Sequence, residues 1–331
     1  MKETVKSLIR SLVPTSLRRI VGDARRAYRE RFPRTILVVR GAGIGDLLMT
    51  TPALRGLRRA YPRAHIGTAA RYPEVFIGNP NVDEVVPAGI AYSRYRWDKI
   101  LRLRYDERYP MQKHITEIFC DCAGVPLDEA RLDMYLSPEE EAWAQREVTR
   151  HGGRVITIQP WPGEWTRNKD WYADRWEQVV SHLTRSIAEP YRVLQIGASG
   201  EQLIAGTIDY RGTITLRQAI ALIKYSVLLV GCNSFAQQAA RALGTPAVIL
   251  YGSTAPHNTG YEGQICLSKP VPCGPCGRLD PCPYAHECMT LITAEDVVEA
   301  VGKMLGWPTA AVRPYGPVPL LTIEPLRVPG P

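Results

Sequence analysis

The stretch Arg34–Pro62, RTILVVRGAGIGDLLMTTPALRGLRRAYP, constrains the fold more than any other part of the chain. Ile36 to Val39 is an unbroken apolar run between two arginines, which predicts a strand buried on both faces. Gly41, Gly43 and Gly45 follow at alternate positions, so the backbone can turn sharply and approach a ligand. Leu47, Leu48, Ala53, Leu54 and Leu57 then recur at helical spacing, with Arg55, Arg58 and Arg59 mostly on the other side. Strand, glycine loop and helix make the first βα unit of a doubly wound α/β sheet, whose ligand site lies beyond the carboxyl end of the strand. The spacing G-x-G-x-G-D departs from the dinucleotide fingerprint G-x-G-x-x-G and is a weak signal for NAD. Asp46 stands where loop meets helix, the place of an N-cap.

At 331 residues the chain is too long for one ordinary core and suits two α/β domains. No run approaches the roughly 18–20 apolar residues of a membrane span. Lys6, Arg10, Arg18 and Arg19 interrupt what would be the apolar core of a secretory signal. A cytoplasmic location is therefore expected, and there eight cysteines read as thiols or metal ligands sooner than as disulfides. Charge is unevenly placed: residues 1–34 hold ten Lys/Arg against three Asp/Glu, a net +7 of the chain's +8. Leu8, Ile9, Leu12, Leu17, Ile20 and Val21 alternate with those cations. The pattern predicts a basic amphipathic arm lying on an anionic membrane at the inner face of the cell, or a solvated helix packed on the domain.

Further strands are expected over His65–Ala70, around Val85, over Val155–Gln159, Arg192–Ile196 and Val227–Val230. Residues 92–114 interleave seven Lys/Arg with Tyr92, Tyr95, Trp97, Tyr105 and Tyr109, a composition that suits sugars, phosphates or single-stranded nucleic acid, or simply a solvated face. Because the excess charge sits in the first 34 residues, no nucleic-acid partner is expected. Ser137-Pro138-Glu139-Glu140 starts a helix that leads to a linker near His151-Gly152-Gly153. Glu201 follows a strand end and a Gly-Ala-Ser-Gly turn, where a carboxylate can bind ribose hydroxyls or begin a helix. A helix starting near Phe235 would offer its N-terminal amides to a diphosphate. Cys273-x2-Cys276-x5-Cys282-x5-Cys288, among Gly and Pro, has the spacing of a tetrahedral thiolate site for Zn or Fe. It lies far in sequence from Asp46, so a structural role is expected. Cys120, Cys122 and Cys232 read as buried small residues, and Cys266 as a spare ligand. Beyond the closing helix, Ala294 to Leu305, the tail holds seven prolines from Pro308 to Pro331 and cannot build a core. The expected organisation is thus an arm over 1–34, a lobe over 35–150, a second lobe over 151–307 and a tail over 308–331.

GIGDLLMTTPALRGLRRAYP, NPNVDEVV, the loop PWPGEWTRNKDWYADRW and GCNSFAQQAARALGTPAVILYGSTAP resemble the motifs of the heptosyltransferases, glycosyltransferase family 9. The resemblance covers roughly residues 35–305. It implies a GT-B fold, two Rossmann-like lobes facing across a cleft, and inverting transfer of a heptose-like sugar from a nucleoside diphosphate, ADP-heptose first, to a lipopolysaccharide-core or related glycan acceptor. By the resemblance Asp46 is the catalytic base and Lys169 grips donor phosphate, with Arg167 a second cation nearby. Gly45, Glu201, Asn233, Ser234, Phe235 and Gln238 belong to the donor site. No catalytic metal is implied. In protein-modifying relatives a cluster like Cys273, Cys276, Cys282 and Cys288 binds iron. The closing helix of two-lobed sugar transferases often crosses back to the first lobe. This chain departs from the family at Asn233, where Asp is usual, and at Gln238, where His is usual. Those changes keep open a degenerate nucleotide-sugar-binding protein, and the cysteine cluster keeps open a protein O-heptosyltransferase.

Overall fold

The computed structural model describes residues 14–307 except 42, 89–91, 93–95, 106–109, 164–165 and 186–189. The first thirteen residues of the basic arm, the proline-rich tail, and Arg94, Tyr95, Arg108 and Tyr109 of the basic aromatic run lie outside the described residues. The first lobe follows helix α1 (Thr15–Arg31) and comprises β1 (Thr35–Val39), α2 (Ile44–Met49), α3 (Thr51–Ala60), β2 (His65–Ala70), β3 (Glu84–Pro87), β4 (Lys99–Arg102) and α4 (Ile115–Ala123). Its sheet is wholly parallel in the order β3-β2-β1-β4. After α5 (Pro138–Arg150) come β5 (Val155–Gln159), α6 (Ala173–Arg185), β6 (Arg192–Gln195), β7 (Ile208–Asp209), α7 (Leu216–Tyr225), β8 (Leu228–Cys232) and α8 (Phe235–Leu243). The chain continues through β9 (Ala247–Tyr251), the single turn α9 (Pro256–Thr259), β10 (Gln264–Ser268), the turn α10 (Glu287–Thr290) and α11 (Ala294–Leu305). The second sheet is also parallel, ordered β10-β9-β8-β5-β6-β7.

Both orders reverse direction once. In the first sheet the chain leaves β1 towards β2 and β3, then returns to the other side of β1 with β4; in the second it leaves β5 towards β6 and β7, then returns with β8. Loops on either side of such a reversal diverge and open a crevice at the strand carboxyl ends. The glycine loop borders the first crevice, and the loop after β5 and the start of α8 border the second.

Alternation along the strands divides the packing. Val155, Leu229, Ala247 and Ile249 face one side of the second sheet, and Ile156, Ile158, Leu228, Val230, Val248 and Leu250 the other. The second face is closed by Trp176, Val179 and Val180 of α6 and by Val297, Val298 and Val301 of α11. Hence α11 packs chiefly on α6, β9 and β10 within its own lobe, in place of the expected return to the first lobe. The other face is continuous with the first lobe: Leu47 and Leu48 of α2 share one buried cluster with Ala236, Ala239 and Ala240 of α8. At roughly 1.5–3 kcal/mol per large apolar side chain removed from water, this cluster does much to join the lobes.

Local chemistry explains the element ends. α2 and α3 are one helical path broken at Thr50, because Pro52 lacks an N–H and crowds the preceding turn. Thr50 and Thr51 hydroxyls donate to the Leu47 and Leu48 carbonyls there, each at 2.7 Å. Ser137 and Glu140 form the reciprocal cap that starts α5, which packs on α7 of the second lobe. The basic aromatic run is in part sheet: β4 lies within it and Trp97 is buried. On α1, Leu17, Ile20, Val21 and Tyr28 share one stripe at helical spacing and are exposed, Ile20 and Tyr28 by about two thirds. Among the described residues no helix is long and apolar enough to cross a membrane.

Candidate active site

Asp46 is not the helix cap that its position suggested. The N-cap of α2 is Gly43, and Asp46 is the third residue of the helix. Its Oδ2 accepts from Arg40 Nη2 at 2.6 Å and from the Tyr105 hydroxyl at 3.5 Å. Arg40 directly follows β1 and is held in turn: Nη1 donates to the Leu103 carbonyl at 3.3 Å, and its guanidinium lies 4.5 Å from the Tyr105 ring centre and 5.2 Å from that of Phe119. Leu103 and Tyr105 directly follow β4, so the reversal β1/β4 supplies the whole arrangement. Burial, and then the Asp46 charge, push the Tyr105 hydroxyl above its ordinary pKa. Tyr105 therefore stays a neutral donor to the carboxylate.

Lys169 comes from the other lobe, on the single 3-10 turn Arg167–Lys169 between β5 and α6. Desolvation lowers its pKa from 10.5 to about 8, opposed first by the negative charge of Asp46. The proposed base and the proposed phosphate cation thus sit close enough to feel each other across the lobe boundary. Gly45 explains how they come so near. A Cβ there would stand 3.4 Å from Phe235 Cα and 3.4 Å from Gln238 Cγ, so the glycine loop rests directly on the start of α8.

Ser234, the N-cap of α8, makes no bond to the helix amides and donates instead to Gln159 Oε1 at the end of β5, at 2.5 Å. Asn233 is placed otherwise than a donor ligand would be. Its Oδ1 accepts from Thr254 at 3.1 Å, while Nδ2 donates to Gln237 Oε1 at 2.6 Å and to Thr259 Oγ1 at 3.1 Å, all in the interior. An aspartate would face Gln237 Oε1 with no proton to give, so the amide suits this network. Gln238 is likewise buried and accepts from the Tyr261 hydroxyl at 2.6 Å.

Glu201 lies beyond β6. Its Oε2 is buried and accepts no hydrogen bond among the described residues, and burial raises the carboxyl pKa, with Asp170 adding to the effect. Gly197, at φ +156°, makes room for it: a Cβ at 197 would stand inside the carboxylate. The Glu201 backbone carbonyl accepts from Arg211, which Asp209 orients. A buried acceptor without a donor is suited to a hydroxyl-bearing ligand.

Cys273, Cys276, Cys282 and Cys288 line one cavity of about 270 Å³ together with Asn168, Ser253 and His286. Desolvation, then the other three sulfurs, push the Cys288 thiol up to about 11. Among the described residues no three Cys, His, Asp or Glu side chains stand in metal-ligand geometry. Cys120 and Cys232 are buried as expected, whereas Cys122 is exposed.

The arrangement brings Asp46, Gly45, Lys169, Ser234 and Phe235 to one boundary, gives Asn233 and Gln238 scaffolding bonds behind it, and sets Glu201 at the neighbouring strand end. Sequence reasoning missed Arg40 and Tyr105. An arginine terminating a buried strand at its ligand end was the available signal for Arg40; Tyr105, 59 residues from Asp46, gave none.

The family model for glycosyltransferase family 9 (heptosyltransferase) matches residues 88–280. No curated protein matches the chain. Among solved structures, a family 9 glycosyl transferase from Veillonella parvula is similar at 20% identity and a TM-score of 0.66, over 83% of this chain and 98% of that one. The ADP-heptose lipopolysaccharide heptosyltransferase II of E. coli is similar at 20% identity and 0.63, over 82% and 98%. The dodecameric iron-containing heptosyltransferase TibC of enterotoxigenic E. coli, solved with ADP-D-β-D-heptose, is similar at 16% identity and 0.65, over 82% and 76%. At such identities the likeness is one of fold, and the two facing Rossmann-like lobes are those of GT-B.

Proposed function

The chain belongs to glycosyltransferase family 9, and we propose that it is an inverting transferase moving a heptose-like sugar from ADP-heptose to a hydroxyl of a lipopolysaccharide core or related glycan. One observation carries the reading: Asp46 and Lys169 each follow a strand at the reversal of its own sheet, and the charge of Asp46 reaches Lys169 from the other lobe. The acceptor hydroxyl oxygen attacks the anomeric carbon as the bond to the nucleoside diphosphate breaks. Asp46 takes the hydroxyl proton. Arg40 and Tyr105 both occupy Oδ2, so Oδ1 is the proton acceptor. Lys169 and the α8 amides stabilise the charge gathering on the departing diphosphate, and Glu201 Oε2 accepts from a ribose hydroxyl. The solved relatives whose names include ADP-heptose supply the choice of donor.

Lys169 gives the test. Its free-enzyme pKa of about 8 means the cation is present below that pH and lost above it. ADP affinity should hold up to about pH 8 and fall above it by up to about tenfold per pH unit. In Lys169→Ala that dependence should vanish, with ADP weakened and adenosine unchanged. Calorimetry showing the same fall in the variant would remove Lys169 from the phosphate site.

Four cysteines line one cavity without yet standing in ligand geometry; were Cys273, Cys276, Cys282 and Cys288 to close on Zn or Fe as thiolates, the metal would cross-link the loop. The iron of TibC favours the same assignment. Elemental analysis should find about one metal per chain, absent from Cys276→Ser; metal-free wild-type protein would end the proposal. The exposed apolar stripe of α1, with Arg19, Arg29 and Arg31 on the same helix, supports peripheral contact with an anionic membrane. Removing residues 1–34 should abolish binding to phosphatidylserine vesicles, and retained binding would exclude the arm as the anchor.

A further inference from the structure

The turn that carries Lys169 is a single one, capped by the Thr166 hydroxyl and closed by the Asp170 N–H on the Arg167 carbonyl, and the cysteine loop holds it from behind. Asn168 Nδ2 donates to the Arg278 carbonyl at 2.9 Å and to the Asp280 carbonyl at 2.7 Å. The Thr166 hydroxyl donates to the same Arg278 carbonyl at 3.2 Å. In the other direction His286 Nε2 lies 2.8 Å from the Asn168 carbonyl, close enough to donate to it. Asn168 is only 6% exposed and lines the cavity that the four cysteines line.

The order of these groups along the chain matters. Arg278 and Asp280 lie between Cys276 and Cys282, and His286 lies between Cys282 and Cys288. The groups that grip the Asn168 side chain and carbonyl are therefore each bracketed by two of the four cysteines, while its N–H donates to the Thr166 hydroxyl at 3.2 Å, and Asn168 is bonded directly to Lys169. Drawing the sulfurs together fixes the two carbonyls and the imidazole. They fix the Asn168 side chain and peptide, and the peptide sets where the lysine stem begins. A flexible side chain with a fixed root loses less freedom when it closes on a phosphate.

We propose that Asn168 is a positioning residue for the donor-phosphate cation, the link through which the cysteine loop sets donor affinity. The loop is then more than a remote staple: it is the rear wall of the phosphate site. This rests on Lys169 being the phosphate ligand, and the experiment separates the two claims.

Calorimetric titration of ADP and of adenosine into full-length wild type, Lys169→Ala, Asn168→Ala and the double variant tests it. Asn168→Ala should weaken ADP by about fivefold or more, the lower end of ordinary coupling between sites, and leave adenosine unchanged. The double variant should bind ADP no more weakly than Lys169→Ala, because Asn168 acts only through the lysine. A general loosening of the fold would weaken both ligands alike. Wild-type ADP affinity in Asn168→Ala, losses that multiply in the double variant, or equal losses for ADP and adenosine would each overturn the proposal. Thr166→Val removes a donor to the same Arg278 carbonyl and the acceptor of the Asn168 N–H, and leaves the Asn168 side-chain amide in place. Should Asn168→Ala fail to fold, Thr166→Val must show the same ADP-selective loss, and its absence would count against the proposal equally. If Lys169→Ala itself binds ADP like wild type, the donor-site reading falls and this inference with it.

Discussion

Asp46→Asn should remain folded, bind ADP near pH 7 as wild type does, and turn over about a hundredfold more slowly or worse, the scale of a lost general base. The substitution keeps shape and keeps an oxygen for Arg40 and Tyr105, so the scaffold of Leu103, Phe119 and Arg40 has no reason to move. What it removes is the capacity to take a proton. A second consequence is independent of turnover. The Asp46 charge is what opposes the desolvation of Lys169, so without it the lysine pKa should drop below about 8. The pH above which ADP binding declines should accordingly move down. A variant that melts early yet keeps its specific activity would reduce Asp46 to a favourable acid in the first turn of α2.

The largest effect on stability is expected at Asp133. Its carboxylate meets Arg55 Nη1 at 2.5 Å, and the two side chains are 3% and 7% exposed. Arg55 Nη2 also donates to the Glu129 and Arg131 carbonyls at 3.1 and 3.0 Å, and these bonds hold the guanidinium in place whether or not its counter-charge is there. Asp133→Leu would strand that cation in the interior, at a cost of about 3–5 kcal/mol. Asp128, 3.7 Å from the same guanidinium, could recover part of the loss by moving closer. The double variant Arg55→Leu/Asp133→Leu should regain most of the stability, since a neutral pair needs no compensation. Urea unfolding of the three proteins decides the matter; a loss under about 1 kcal/mol in the single variant would mean that the pair is effectively solvated.

Much of the scaffold was legible because it depends on neighbours in sequence. The apolar run of β1, the glycine loop and the Ser137–Glu140 cap are local devices, and each formed where its pattern lay. The cysteine spacing likewise located one cavity. What could not be read depends on the tertiary arrangement. Asn233 looked like a donor-site residue standing where the family has Asp, yet its amide is consumed by Thr254, Gln237 and Thr259, partners that only the packing of α8 against the following loop brings to it. Residues 92–114 looked like one charged surface because their composition outweighed the short apolar core of β4. Asn168 gave no sign at all, since its partners in the cysteine loop lie 110 and more positions away.

The small-residue contact between α2 and α8 also has a mechanical consequence. Gly45 rests on Phe235, and Leu47 and Leu48 share a dry cluster with Ala236, Ala239 and Ala240. Prising such a seam open would expose apolar surface all at once, whereas sliding one smooth helix along another keeps it covered. Motion between these lobes is therefore expected as a shear sooner than a gape. Asp46 rides on one of the sliding helices, so a displacement of an ångström or so along the seam alters its distance from Lys169 without parting the lobes.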